Sequence, residues 1–182
     1  LELPGPLLRG EIRLFARAFG VDLSEVRDPL ESFGSLQEFF TRALRDGARN
    51  IDPAGESLVS PCDGAFGESG LVRDGQAFQL KGRPYELREL LGSADDAAAF
   101  EGGTYATLYL SPRDYHRFHS PCASSVERTT YLPGTLWPVN RIGLEGVDAL
   151  FAQNERICAF MRASPGHALL CLVAVGATMV GK

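Results

Sequence analysis

The stretch HALLCLVAVGATMVG, residues 167–181, decides how the chain is read. From Ala168 to Val175 it is apolar without clean alternation, and it is punctuated by glycine at its end. That pattern predicts a strand buried on both faces. Working outward, RICAFMRA (156–163), RTTYLPG (128–134), TYATLYLS (104–111) and AFQL (77–80) read as further short strands. Gly, Pro and Asp separate them. ELRELLG (86–92) reads as a short helix between strands, and the Gly92-Ser93 pair that follows reads as a helix end. From about residue 57 onward, strand character dominates.

The part before it is different. In PLLRGEIRLFARAFG (6–20), Leu8, Ile12, Phe15, Ala16 and Phe19 fall on one face of a 3.6-residue period, with Arg9, Glu11, Arg13 and Arg17 largely off it. Gly20 is the expected stop. Such a helix either packs on a core or lies apolar face down on a membrane surface. In SFGSLQEFFTRALRDG (32–47), Ser35 and Glu38 have capping-box spacing. Leu36, Phe39, Phe40 and Leu44 are its apolar face, and Gly47 ends it. The fold class expected is therefore α+β: N-terminal amphipathic helices over 1–50, then a β-rich core of mainly antiparallel strands over 51–182, with the helices packed on it.

Composition narrows the function. With 182 residues, 45% hydrophobic and 23% charged, the chain has ordinary globular proportions. A net charge of −5 and only two lysines, Lys81 and Lys182, argue against nucleic-acid binding. Cys62, Cys122, Cys158 and Cys171 have no structural-zinc spacing, and free packed thiols are expected. No apolar run reaches membrane-spanning length.

Candidate chemistry sits in a few loops. YHRFHSP (115–121) holds two of the three histidines, His116 and His119. They are either packing residues, metal ligands together with Asp114 or Cys122, or acid–base groups. Asp63, in LVSPCDGAFGE (58–68), is either a turn residue or a carboxylate that orients a histidine. In LPGTLWPVNR (132–141) and NER (154–156), the polar side chains of Asn140, Arg141, Asn154 and Arg156 either hold an anionic headgroup or brace loops, and Glu155 is placed to pair with an arginine. Tyr115, Asn140 and Arg141 are the candidate substrate-binding residues.

FFTR (39–42), SPCDG (60–64), YHRFHSP (115–121), GTLWPVN (134–140), NER (154–156) and VGATMVG (175–181) occur in this order. As an ordered set they resemble the phosphatidylserine decarboxylase family, from about residue 33 to the end. The resemblance implies a proenzyme that cuts itself between Gly and Ser in a motif of the LGST kind. The cut leaves a covalent pyruvoyl group on a C-terminal small chain. It maps the self-cleavage carboxylate to Asp63, the self-cleavage base to His119 and the decarboxylation residue to His116. It implies phosphatidylserine as substrate, the small chain as partner, a peripheral place on the cytoplasmic face of a membrane, and a homodimer. It also favours a membrane-facing role for Leu8, Ile12, Phe15 and Phe19. No LGST motif follows VGATMVGK, so the chain is expected to be the large, non-pyruvoyl part. SPCASSVE lacks the glycine that often follows this proline in the family. A zinc-dependent hydrolase and a non-catalytic lipid-binding relative are the alternatives.

Overall fold

A computed structural model describes residues 5–54, 57–79, 83–178 and 180–181; the side chains of Phe78, Gln79, Arg83 and Arg141 lie outside that description. The chain divides into two compact units. One comprises Leu1–Ala65 and Leu108–Cys122, the other Phe66–Thr107 and Ala123–Lys182. Residues 51–65 and 108–122, expected in the β-rich core, thus group with the N-terminal helices.

In the first unit, helix α1 spans Gly5–Phe19 and buries Leu8, Ile12 and Ala16. Gly20 closes it in the left-handed region at φ 77, where a side chain would be strained, and the Val21 amide reaches back to the Ala16 carbonyl at 2.8 Å. Leu8 and Ile12 pack with Val21, Val26 and Phe39 in one cluster, with Phe15, Phe33 and Leu36 against it. Phe39 is fully buried, and Phe15 and Phe33 meet its ring edge-on.

Helix α2 spans Leu36–Phe40. The expected cap is present: the Glu38 amide donates to Ser35 Oγ at 3.1 Å, while the Glu38 carboxylate accepts the Gly34 amide at 2.6 Å. The helix stops at Phe40 instead of reaching Gly47. The next residues are claimed by a tertiary pairing. Leu44 forms an antiparallel bridge with Val26, the Arg27 amide donates to Ala43 O, and the Arg45 amide donates to Glu25 O. These bonds outweigh a weak local helix preference.

In the second unit, β5 (Ser124–Leu132), β6 (Arg156–Ala163) and β7 (Leu169–Val175) form an antiparallel sheet in the order β5-β6-β7. Cys158 sits opposite Thr130 on one side and Val173 on the other. Strands β2 (Gln76–Gln79) and β3 (Arg83–Glu86) make an antiparallel hairpin, and β1 (Ala65–Leu71) pairs with β4 (Thr104–Tyr109). The expected double burial of residues 168–175 is not seen. β7 closes one end of the sheet and is half-buried throughout, while the central β6 buries Cys158, Phe160 and Met161. An apolar run reports composition, whereas position in the sheet sets burial.

Four short helices complete this unit: α3 (Leu87–Leu91), α4 (Ala94–Ala99), α5 (Arg141–Gly146) and α6 (Leu150–Gln153). Gly92-Ser93 is the α3–α4 junction, Ser93 Oγ accepting the Asp96 amide at 3.2 Å. Leu87, Leu90, Leu91, Leu150, Phe151, Cys158 and Phe160 form the core. Among the described residues, no helix is long and apolar enough to cross a membrane.

Candidate active site

The first unit brings three distant segments together. After β4, Ser111 and Asp114 close a turn: the Asp114 carboxylate accepts the Ser111 amide at 2.6 Å and its hydroxyl at 2.8 Å. Residues 115–121 then run as an extended loop, not a helix, so His116 and His119 share no helix face.

The end of α2 holds this loop at successive residues. The Phe40 ring lies on the His116 imidazole with centroids 3.8 Å apart. The Thr41 carbonyl accepts from Arg117 Nε at 2.8 Å. Arg42 Nη2 donates to the carbonyls of Arg113 at 2.8 Å and Asp114 at 3.2 Å. The FFTR motif is therefore a clamp on the histidine loop.

The Asp63 loop meets it from another direction. The His119 amide donates to Pro61 O, and the Val59 amide donates to Pro121 O, both at 2.8 Å. Each segment also carries the same local turn: Ser60 Oγ bonds Cys62 O, and Ser120 Oγ bonds Cys122 O, both at 2.6 Å. Gly64 comes so close to β4 that a Cβ there would lie 3.1 Å from Leu108 Cβ and the Tyr109 backbone. A larger residue would push the loop away. Residues 57–60 take no strand conformation.

His116 is half-buried, with Nδ1 2.9 Å from the Asp114 carbonyl. A carbonyl only accepts, so Nδ1 carries the hydrogen and Nε2 the lone pair. Burial lowers the imidazole pKa below its ordinary value; the Arg42 cation adds to this, while the bond to Asp114 O opposes it. His119 is exposed, and its Nε2 stands 3.0 Å from the Tyr115 hydroxyl, with the two rings stacked at 5.6 Å.

The Asp63 carboxylate is gripped by Arg49, whose Nε lies 2.9 and 3.0 Å from its two oxygens and whose Nη2 lies 2.5 Å from Oδ2. The same guanidinium reaches Glu25 at 2.8 and 3.0 Å. These two carboxylates hold the Arg49 pKa well above its usual value. A cleft of about 160 Å³ opens among Asp63, Arg49, Glu25, Arg42, Asp114 and Tyr115.

The structure thus joins the Asp63 and His119 loops through backbone. Among the described residues, however, no hydrogen bond links the Asp63 carboxylate to the His119 ring. Sequence reading missed Arg49 entirely, and nothing in GARNIDPAG marks it. Arg42 lay inside a quoted motif but had no assigned role. For the metal alternative, no three His, Cys, Asp or Glu side chains are grouped to hold an ion among the described residues.

The other candidates lie in the second unit. Asn140 Oδ1 caps α5, accepting the amides of Ile142 at 3.0 Å and Gly143 at 3.1 Å. The Arg141 side chain lies outside the described residues. Asn154 is fully buried and uses all four of its bonds. Its Oδ1 accepts from Thr135 Oγ1 and the Trp137 amide, and its Nδ2 donates to Trp137 O and Gly176 O, at 2.8–2.9 Å. Arg156 donates to the carbonyls of Leu90, Asn154 and Glu89 at 2.7, 2.8 and 2.6 Å, satisfying the last turn of α3. Asn154 and Arg156 brace loops. Glu155 accepts the Tyr131 hydroxyl at 3.0 Å.

The membrane-facing set needs correction. Leu8 and Ile12 are buried at 4% and 0% exposure, because their face is the one that covers Phe39. Phe15 is half-buried against Phe39 and Phe40. Phe19, at the end of the same face and against the Phe15 ring, is exposed, as are Leu7 and Leu14 on another side of α1.

The family model for phosphatidylserine decarboxylase matches residues 36–182. A phosphatidylserine decarboxylase proenzyme from Anaeromyxobacter sp. is 46% identical over 179 residues, covering 98% of this chain and 62% of that protein. The proenzyme of the same name from Marinobacter nauticus is 44% identical over 173 residues (94% and 60%). That from Myxococcus xanthus is 38% identical over 182 residues (100% and 64%). The chain thus spans 60–64% of the length of these relatives.

Proposed function

The chain belongs to the phosphatidylserine decarboxylase family, and on that premise we propose that it is the large-chain part of a self-processing proenzyme that converts phosphatidylserine to phosphatidylethanolamine. The observation that supports this reading is the convergence of three separated motifs. Phe40, Thr41 and Arg42 hold the histidine loop, and Pro61 accepts the His119 amide two residues before Asp63.

The cofactor in this reading is a pyruvoyl group on the C-terminal small chain. The donor chemistry present fits it: a covalent carbonyl group needs proton carriers and apolar cover, and asks for no metal ligands. His116 and His119 are the carriers, and the Phe40 ring is the cover. When bound, the group supplies an electron sink for the charge left by departing carbon dioxide.

His119 Nε2 takes the proton of the serine hydroxyl in self-cleavage, with Tyr115 beside it as the local hydrogen-bond partner. Asp63 supports that step from the loop that holds the His119 backbone, its carboxylate anchored by Arg49. His116 acts later. Its lowered pKa means that a proton on Nε2 is readily released, which suits reprotonation of the carbon that has lost carbon dioxide. For the membrane surface where such a substrate lies, the exposed Leu7, Leu14 and Phe19 of α1 replace the buried Leu8 and Ile12 as contact residues.

Expression of the full-length gene product tests this. Two chains on a denaturing gel, the small one blocked to Edman sequencing and reactive to hydroxylamine, are expected, together with carbon dioxide release from phosphatidylserine vesicles. Asp63→Ala and His119→Ala are expected to leave an uncut precursor, whereas His116→Ala cuts and decarboxylates poorly. Equal cleavage in all three variants would overturn these roles. Stoichiometric zinc, with activity lost to chelators, would sink the pyruvoyl reading.

A further inference from the structure

Arg42 has no part in the mechanism so far, yet it is a cation with 3% exposure. Only its Nη2 is used; Nε and Nη1 are buried without a partner. Among the described residues, no carboxylate forms an ion pair with it; Glu25, Asp114 and Asp63 favour its charge only from a distance, and the Phe39 ring lies 5.2 Å from the guanidinium carbon. A buried guanidinium with idle donors is a poor stabiliser, since a well-packed apolar side chain does as well or better. Its place therefore calls for another reason.

That reason lies at the Asp114 carbonyl. This oxygen has two lone pairs. One accepts from His116 Nδ1 at 2.9 Å and the other from Arg42 Nη2 at 3.2 Å. The neighbouring Arg113 carbonyl is held by the same nitrogen at 2.8 Å, so the peptide that presents the acceptor cannot turn away. Phe40, two residues before Arg42, covers the imidazole face. We propose that Arg42 is a positioning residue for His116. By gripping the Asp114 carbonyl that it shares with Nδ1, it fixes the orientation of the ring and keeps Nε2 as the nitrogen that takes up and gives the transferable proton. This deepens, and rests on, the reading that His116 handles the proton in decarboxylation. The charged groups acting on His116 are Arg42, from the end of α2, and Asp114, from its own loop. Arg42 opposes protonation of the ring and Asp114 favours it.

The test uses the processed full-length enzyme with 15N-labelled histidine, the His116 signals being assigned by their loss in His116→Ala. Arg42→Gln removes the cation and keeps a donor. It is expected to raise the His116 titration midpoint. The same variant should lower kcat about tenfold with KM within about twofold, and the alkaline limb of the pH–rate profile should move with the midpoint. An unchanged midpoint in a folded Arg42→Gln enzyme overturns the proposal, leaving Arg42 a packing residue. Should that variant not fold, Arg42→Lys decides. It keeps the charge but is too short to reach the two carbonyls that Nη2 grips, so a retained midpoint with a mixed imidazole tautomer supports the proposal, and a wild-type tautomer overturns it. If His116→Ala decarboxylates like the wild type, the proton-handling reading falls, and the titration still judges Arg42 by itself.

Discussion

Two buried arginines, one in each unit, teach different lessons. Arg156, at 6% exposure, donates from Nε, Nη1 and Nη2 to three carbonyls; Arg42, at 3%, donates from Nη2 alone. In both, burial pushes the guanidinium pKa down. Arg156 offsets that cost with three charge-assisted bonds and with Asn154 beside it, itself fully satisfied. Arg42 does not. The second unit spends its buried polar groups on rigidity. The first unit keeps one whose return lies in how it presents His116.

Substitutions can break this contrast. Asn154→Ala removes a fully buried side chain and all four of its bonds, and is expected to cost about 3–5 kcal/mol in a denaturant unfolding experiment, the largest effect. Arg156→Met takes the guanidinium donors from three carbonyls and should cost about 3 kcal/mol by the same measurement. Asn140→Ala removes only a helix cap and should cost about 1 kcal/mol. Arg42→Gln should move the unfolding midpoint least, by less than about 1 kcal/mol, while its effect falls on kcat. A loss at Arg42 as large as that at Arg156 would erase the distinction.

Acid sharpens it further. The folded pKa of His116 is lowered, so the unfolded chain takes up its proton first as pH falls. The stability contributed by burying a neutral ring is present above about pH 6.5 and is lost as pH falls through the lowered folded value. A His116→Gln variant should show a flatter stability profile over that window, measured as thermal midpoint against pH.

Much of the framework was legible in the residues. The period of α1, its glycine stop, the Ser35 cap and the segments of β2, β4, β5, β6 and β7 were readable, because each is set by neighbours in sequence; β1 and β3 were not singled out. The misreadings share a cause. α2 ends early because residues 43–45 are taken by residues 25–27, and β6 rather than β7 is central because of pairing order. Leu8 and Ile12 were placed on the correct face of α1, but no local pattern says whether that face meets lipid or Phe39. His116, His119 and Asp63 were singled out through rare residue types and motif order. Arg49 was not, since an exposed-looking arginine carries no sign of the carboxylate it will hold.

The paired loops at Val59–Pro61 and His119–Pro121 have a mechanical consequence. Proline has no amide hydrogen, so these two bonds cannot extend into a ladder there and remain a two-point fastener. Two points define a line, and a segment pinned along a line cannot swivel without losing one of them. The alignment of Asp63 with His119 is therefore stored in main chain, out of reach of anything that happens to their side chains. A change in what the carboxylate or the imidazole binds leaves the backbone frame that joins their two loops in place.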